Sequence, residues 1–283
     1  PNNLIFYKKK NYNKFKKIFI SFSDWEKIIK RYLKKTKIIL EIFDEDSYNF
    51  AKKFKNKVSI KISCSEADNL NLINKAIKNF RQVFINFSGF EKKEFSKILS
   101  KIQNKNKIII LYGFQSYPSN SKDLRFEIFD YLKKKGIKYG FSDHAIYGFS
   151  DELLSNLLIS IKKNCKYFEK HVCQNVQSKP LDYISAVEVK DLNKLIKIVR
   201  RYEKNLIRKN NYKMSNKELA YKETMRKKAV TIQDIKKGEK IKEKIVFLRS
   251  AKKKAVFRNE LKNAKKTKKD LSKFTVIKKK DII

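Results

Sequence analysis

Cysteine is sparse and odd in number in this 283-residue chain, with only Cys64, Cys165 and Cys173 present. Three thiols at wide spacing argue against a disulfide framework and for free cysteines in a reducing cytosol. Long apolar runs are missing too. The longest, Ile108 to Tyr112, is strand-sized and falls far short of the roughly 18 residues a membrane span needs. No membrane partner is expected, and a cytoplasmic location is. Acidic residues number 29 against 70 basic ones, a formal net charge of +41. That balance ordinarily points to nucleic acid or an anionic membrane. Arginine, however, occupies only positions 31, 81, 125, 200, 201, 208, 226, 249 and 258, and it is the residue favoured for bidentate phosphate or base contacts. The lysine excess, with its many Asn, Ile, Phe and Tyr, fits a Lys/Asn/Ile-heavy proteome that places lysines on solvated helix faces. Nucleic-acid binding is therefore disfavoured as the primary role, and the Lys-rich tail from Lys252 to Lys280 is its best support. The chain opens Pro1-Asn2-Asn3 with neither initiator Met nor signal pattern, which predicts that sequence is missing at this end.

Histidine is rarer still: His144 and His171 are the only two. Each closes a short apolar run and follows an acidic residue, in Gly140-Phe141-Ser142-Asp143-His144 and Tyr167-Phe168-Glu169-Lys170-His171. Both runs have strand composition, and in a strand residues two apart share a face. Ser142 and His144 are then expected on one face with Asp143 opposite, and Glu169 and His171 together with Lys170 opposite. Neutral imidazoles at neighbouring strand ends suit a divalent metal with open positions, which is a catalytic arrangement. Two histidines without a third ligand fit equally well as hydrogen-bonded strand ends. A Ser142-Asp143-His144 triad is excluded, because Asp143 points away from the imidazole it would have to orient.

Between residues 37 and 172 short β-rich runs alternate with stretches carrying apolar residues at three- and four-residue spacing. Strands are predicted at Lys37–Phe43, Val58–Ser63, Gln82–Phe87, Lys107–Phe114, Lys138–Asp143 and Lys166–Val172. Helices are predicted at Asp24–Lys35, Asp46–Phe54, Asn69–Asn79, Lys92–Gln103, Lys122–Lys135, Asp151–Lys163 and Asp191–Lys204, the last with Asp191 as N-cap. Such repetition means a parallel sheet with functional residues at strand C-terminal ends, where Lys61, Ser88, Gln115, Ser142, His144 and His171 fall. Six strands are two short of a closed eight-stranded barrel, so the sheet is open or its first two strands are absent. Residues 205–228 read as a charged, irregular linker, and 229–283 as a small β-rich domain turning at Asp234 to Gly238.

In order, these motifs resemble the sialic acid synthase family, which condenses phosphoenolpyruvate with an N-acetylated sugar aldehyde. Gly140 to Ala145 matches the family's Gly-Tyr-Ser-Asp-His-Thr, and Phe168 to Val172 its Ile-Glu-Lys-His-Phe. By similarity His144 and His171 bind Mn2+ or Mg2+. The resemblance implies a (β/α)8 TIM-type barrel over 1–204, N-terminally incomplete, and an antifreeze-like (SAF, β-clip) domain over 229–283. Lys61-Ile62-Ser63-Cys64-Ser65-Glu66 matches Lys-Ile-x-Ser-x-Glu, with a thiol where the family has its phosphate-binding serine. The weaker thiol donor leaves Ser63 or Ser65 to compensate. Phe87-Ser88-Gly89 stands where the family has Ser-Thr-Gly, which removes one phosphate contact. Phosphoenolpyruvate is thus assigned to Lys61, Cys64, Ser88 and Ser142. Gln115-Ser116-Tyr117-Pro118 resembles the family's Asn-x-Tyr-Pro, and Pro180-Leu181-Asp182 its Gly-Pro-Asp loop. The sugar is assigned to Glu66, Gln115, Tyr117 and Asp182, together with Arg249, which in the family reaches into a partner's site and so implies a domain-swapped homodimer. The chain departs in its longer interval from His144 to His171, which puts an extra stretch at Tyr147 to Glu152. It also lacks the first two strands, the expected home of the proton-transfer Glu; Leu4-Ile5-Phe6-Tyr7 matches at most a remnant of the second. A catalytically impaired relative and a basic nucleic-acid-binding protein are the competing readings.

Overall fold

The structure is a computed structural model that describes residues 16, 18–206, 213–250, 252, 254–262 and 266–283. The chain divides into two units, Pro1–Arg208 and Lys209–Ile283. Leu4 to Tyr7, the candidate strand remnant, lies outside the described residues, as does Ala251.

In the first unit, α1 (Phe22–Tyr32) precedes β1 (Ile39–Ile42), and strands then alternate with helices: α2 (Glu45–Lys52), β2 (Ser59–Ile62), α3 (Leu70–Asn79), β3 (Val83–Asn86), α4 (Lys92–Lys101), β4 (Ile108–Tyr112), α5 (Glu127–Lys134), β5 (Lys138–Asp143), α6 (Asp151–Lys162), β6 (Tyr167–Cys173), β7 (Ala186–Glu188) and α7 (Val189–Leu206). Every strand pairs with its sequence neighbour, in the order β1 to β7, and all pairs are parallel. Parallel strands need crossovers; helices supply them from β1 to β6, whereas β6 joins β7 through two short 3-10 turns. β4 is buried along its whole length, as a strand covered on both sides must be.

The sheet is thus a curled half-barrel of seven parallel strands; among the described residues its β1 and β7 edges do not pair. The expected count of six is corrected by β7, whose three residues carry too little pattern to stand out. Other boundaries also move. Residues Ser121–Asp123 form a separate 3-10 turn, so α5 begins only at Glu127. Asp191 lies in the first turn of α7 rather than capping it.

Starts are set by local chemistry: Asp44 and Ser47 form a capping box on α2, and the Ser150 hydroxyl accepts from Leu153 N–H to open α6. Side chains alternate across the sheet. Ile42, Ile60, Ile85, Ile110 and Phe141 join the core beneath the helices, leaving Glu41, Lys61, Ser142 and Glu169 on the inner face.

The second unit contains α8 (Asn216–Met225), β8 (Lys228–Thr231) and β9 (Ile245–Leu248), the two strands pairing antiparallel. Isolated bridges such as Val230 with Val276 and Ile235 with Leu271 extend the pairing around a core of Ala229, Ile235, Ile241, Val256, Leu271 and Ile277. The stretch expected to be an irregular linker therefore holds a helix, fixed by a Ser215–Glu218 capping box. Lys228, its last residue, is a fully buried strand residue whose ammonium donates to the carbonyls of Glu223, Ser250 and Lys252.

Candidate active site

The C-terminal ends of the strands surround a cavity of about 680 Å3 lined in part by Glu41, Lys61, Gln115, Tyr117, His144 and His171. Asp182 reaches it from the loop after β6, where its backbone adopts φ +58°, a left-handed conformation that aspartate tolerates.

β5 and β6 pair in register from Gly140–Tyr167 to Asp143–Lys170, so the next residues on each strand are the two histidines. Their ring centroids stand 5.4 Å apart. The Tyr117 ring meets both edge-on, at 4.8 Å from His144 and 5.5 Å from His171. His144 is buried, and its Nδ1 lies 3.1 Å from the Phe114 carbonyl oxygen. A carbonyl can only accept, so Nδ1 carries the proton and Nε2 keeps its lone pair, the tautomer a metal-binding imidazole needs. Its carbonyl oxygen is fixed by Ser119 N–H at 2.8 Å and the Ser185 hydroxyl at 2.9 Å. Burial first, and then the neighbouring His171, push the His144 pKa down to about 4. Burial lowers that of His171 as well, against the pull of Asp182, whose carboxylate lies 4.0 Å from Nδ1. Both rings are neutral at pH 7. Among the described residues no group of three His, Cys, Asp or Glu side chains converges on one point. The two imidazoles fit a divalent ion as a protein pair that leaves the remaining positions to water or substrate.

Opposite the histidines, the Lys61 ammonium lies 3.0 Å from Glu169 Oε1 and 3.3 Å from Glu41 Oε1. Ser142 donates to the same Glu169 oxygen at 2.6 Å. Burial alone would lower the Lys61 pKa; the two carboxylates reverse this and raise it, so Lys61 is cationic. Tyr117 is pushed up to about 12 by burial and by Asp182, Glu41 and Glu169, so its phenol keeps its proton as a donor. On the opposite face Lys170 pairs with Asp143 at 2.6 Å and donates to the Ala145 carbonyl at 3.0 Å. Asp143 also accepts from Asn156 of α6 at 3.4 Å. Asp143 is thus spoken for away from the histidines, and Ser142, Asp143 and His144 form no triad.

Other expected residues stand apart from this group. The Cys64 thiol donates to Gln115 Oε1 at 3.3 Å, which leaves the Gln115 amide nitrogen without a protein partner among the described residues. Ser88 is buried, its hydroxyl held between Asn86 Oδ1 and the Gly113 carbonyl. Phe87 packs edge-on against Phe90 and Phe95 on the helix side. The Glu66 carboxylate takes a hydrogen bond from Asn69 at 2.9 Å. Arg249 is exposed just after β9 in the second unit. The extra stretch after His144 is a loop tied to β7 and its approach by Tyr147 N–H to the Ile184 carbonyl and Gly148 N–H to the Ala186 carbonyl. Sequence reasoning missed Glu41. It becomes visible only in the register, which sets this inner-face carboxylate of β1 opposite Lys61.

A family model described as the NeuB family matches residues 5–211. The chain belongs to the NeuB family. Solved structures share the fold. A protein described as spore coat polysaccharide biosynthesis protein E of Chromobacterium violaceum superposes with a TM-score of 0.75 at 16% identity, over 96% of this chain and 81% of that one. N-acetylneuraminic acid (sialic acid) synthetase of Leptospira borgpetersenii, solved with citrate, gives 0.67 at 21% identity, over 79% and 78%. Spore coat polysaccharide biosynthesis protein spsE of Bacillus subtilis gives 0.57 at 19% identity, over 91% and 76%. No curated protein matches.

Proposed function

We propose that this NeuB-family chain is a sugar-acid synthase that joins phosphoenolpyruvate to an N-acetylated amino-sugar aldehyde, N-acetylmannosamine or a diacetamido relative. The observation that carries the reading is the meeting of two neutral imidazoles across Tyr117 in the cavity that also holds Lys61 and Asp182. In the reaction the enolpyruvate methylene carbon bonds to the aldehyde carbon, water adds at the former enol carbon, and phosphate leaves. His144 and His171 are the residues to hold a divalent ion, Mn2+ or Mg2+, which when bound supplies Lewis-acid polarisation of the aldehyde oxygen.

The chain's own side chains do the rest. Lys61 is the cavity cation available to an anionic substrate, since Lys170 is taken by Asp143 on the other face; a charge-assisted contact from its ammonium holds the phosphate. Ser142 sits beside it and keeps Glu169 oriented. The amide nitrogen of Gln115, the protonated phenol of Tyr117 and the carboxylate of Asp182 offer donors and an acceptor to sugar hydroxyls and the acetamido group. Arg249, exposed on the second unit, serves the site of another copy in a swapped homodimer, with the second unit in the antifreeze-like role.

The test is to incubate the chain with phosphoenolpyruvate, N-acetylmannosamine and Mn2+, following phosphate release and the nine-carbon 2-keto acid by mass spectrometry. Product that disappears in H144A and H171A supports the proposal. Retention of Mn2+ by the wild type with no product from any N-acetylated sugar aldehyde rejects it in favour of an impaired relative, for which Cys64 at the phosphate-binding position is the supporting observation.

A further inference from the structure

Charge in the cavity does not balance. Among the described residues that line it, three carboxylates, Glu41, Glu169 and Asp182, stand against two lysines, Lys61 and Lys170, and the Lys170 ammonium is paired with Asp143. Phosphoenolpyruvate brings a phosphate and a carboxylate of its own, so the site as built carries the wrong sign for it except at Lys61 itself.

The two glutamates that share Lys61 are held unequally. Glu169 has a second donor, the Ser142 hydroxyl at 2.6 Å, on the oxygen that also faces Lys61. Glu41 lies at the longer distance, 3.3 Å, and has no other donor among the described residues. It sits on β1 directly across from Lys61 in the register, so backbone pairing rather than a loop keeps its carboxylate there. Desolvation by the cavity wall and repulsion from Glu169 both disfavour its charged form, against the attraction of Lys61. Of the two, Glu41 is the carboxylate an incoming anion displaces.

We propose that Glu41 is a specificity-determining residue of this cavity: its carboxylate occupies the Lys61 ammonium in competition with the substrate phosphate and so sets the affinity for phosphorylated anions. This rests on the reading of the cavity as the phosphoenolpyruvate site. Like charges placed against each other weaken binding, and each tenfold in affinity corresponds to about 1.4 kcal/mol. Removing the Glu41 charge while keeping its shape therefore tightens phosphate binding about tenfold.

The experiment titrates the full chain with inorganic phosphate and, separately, with phosphoenolpyruvate by calorimetry, comparing wild type with E41Q, and K61M with E41Q/K61M. E41S replaces E41Q if the latter fails to fold by circular dichroism. The expected result is tighter binding of both anions in E41Q and no such gain when Lys61 is absent. Equal or weaker binding in E41Q, no binding in either, or a gain that persists without Lys61 overturns the proposal. The synthase assay separates the two readings. Tighter phosphate binding with no keto acid from any variant removes the proposed function and leaves the role of Glu41, whereas keto acid formation without a gain in E41Q removes the role of Glu41 alone.

Discussion

Lys170 and Asp143 pair at 2.6 Å with side chains 8% and 1% exposed, on the sheet face away from the cavity. Burial lowers the Lys170 pKa and Asp143 opposes that. Removing one partner strands the other charge in the core, so K170M is expected to cost about 3–5 kcal/mol in urea denaturation. The paired replacement D143L/K170M is expected to recover most of that loss, because apolar substitution of both members is often neutral. The thiols divide the same way. Burial pushes Cys165 well up, and burial with Glu188 raises Cys173, while Cys64 is part-exposed. Iodoacetamide at pH 8 is expected to label Cys64 alone in the folded chain and all three cysteines after unfolding, read by mass spectrometry. That Asp143 and Lys170 turn away from the histidines was legible in the strand alternation. The partnering of Ser88 and Glu66 was not, since a motif fixes position along the chain and leaves the choice of hydrogen-bond partner to the packing.

Among the elements, β5 is approached by the chain just after β4 on one side and by β6 on the other more closely than added side chains permit. A Cβ at Gly113 would sit 1.7 Å from the Ser142 carbonyl oxygen, and one at Gly140 would sit 2.5 Å from Tyr167 Cβ. G113A is expected to lose about 3 kcal/mol of stability by thermal unfolding, and to lower anion affinity by shifting Ser142 off Glu169. Six strands could be read from β-rich runs because each is flanked by a helix with its own period. β7 could not: three residues leading straight into α7 give neither a turn nor an alternation. Glu41 was hidden for a related reason. A single acidic residue in Ile39-Leu40-Glu41-Ile42 looks like a solvated edge until the register puts it opposite Lys61.

For the molecule as a whole, two units with their own cores imply two sources of stability. The second is small enough to lie near the limit of independent folding, and its least expendable group is polar. The buried Lys228 ammonium satisfies three backbone carbonyls from α8 and the segment after β9. K228M leaves them bare, at about 1–3 kcal/mol each. Hydrogen exchange is expected to show protection lost throughout 228–283 while β2 to β5 keep theirs; unchanged protection in the second unit would refute this role.

The distance between the two imidazoles is a property of the sheet and owes nothing to the residues that join β5 to β6. Both histidines are next in step on hydrogen-bonded neighbours, so their separation follows the fixed gap between adjacent β-ribbons. Evolution can therefore lengthen or rewrite the loop that begins at Tyr147, which does not line the cavity, without retuning the spacing of the pair.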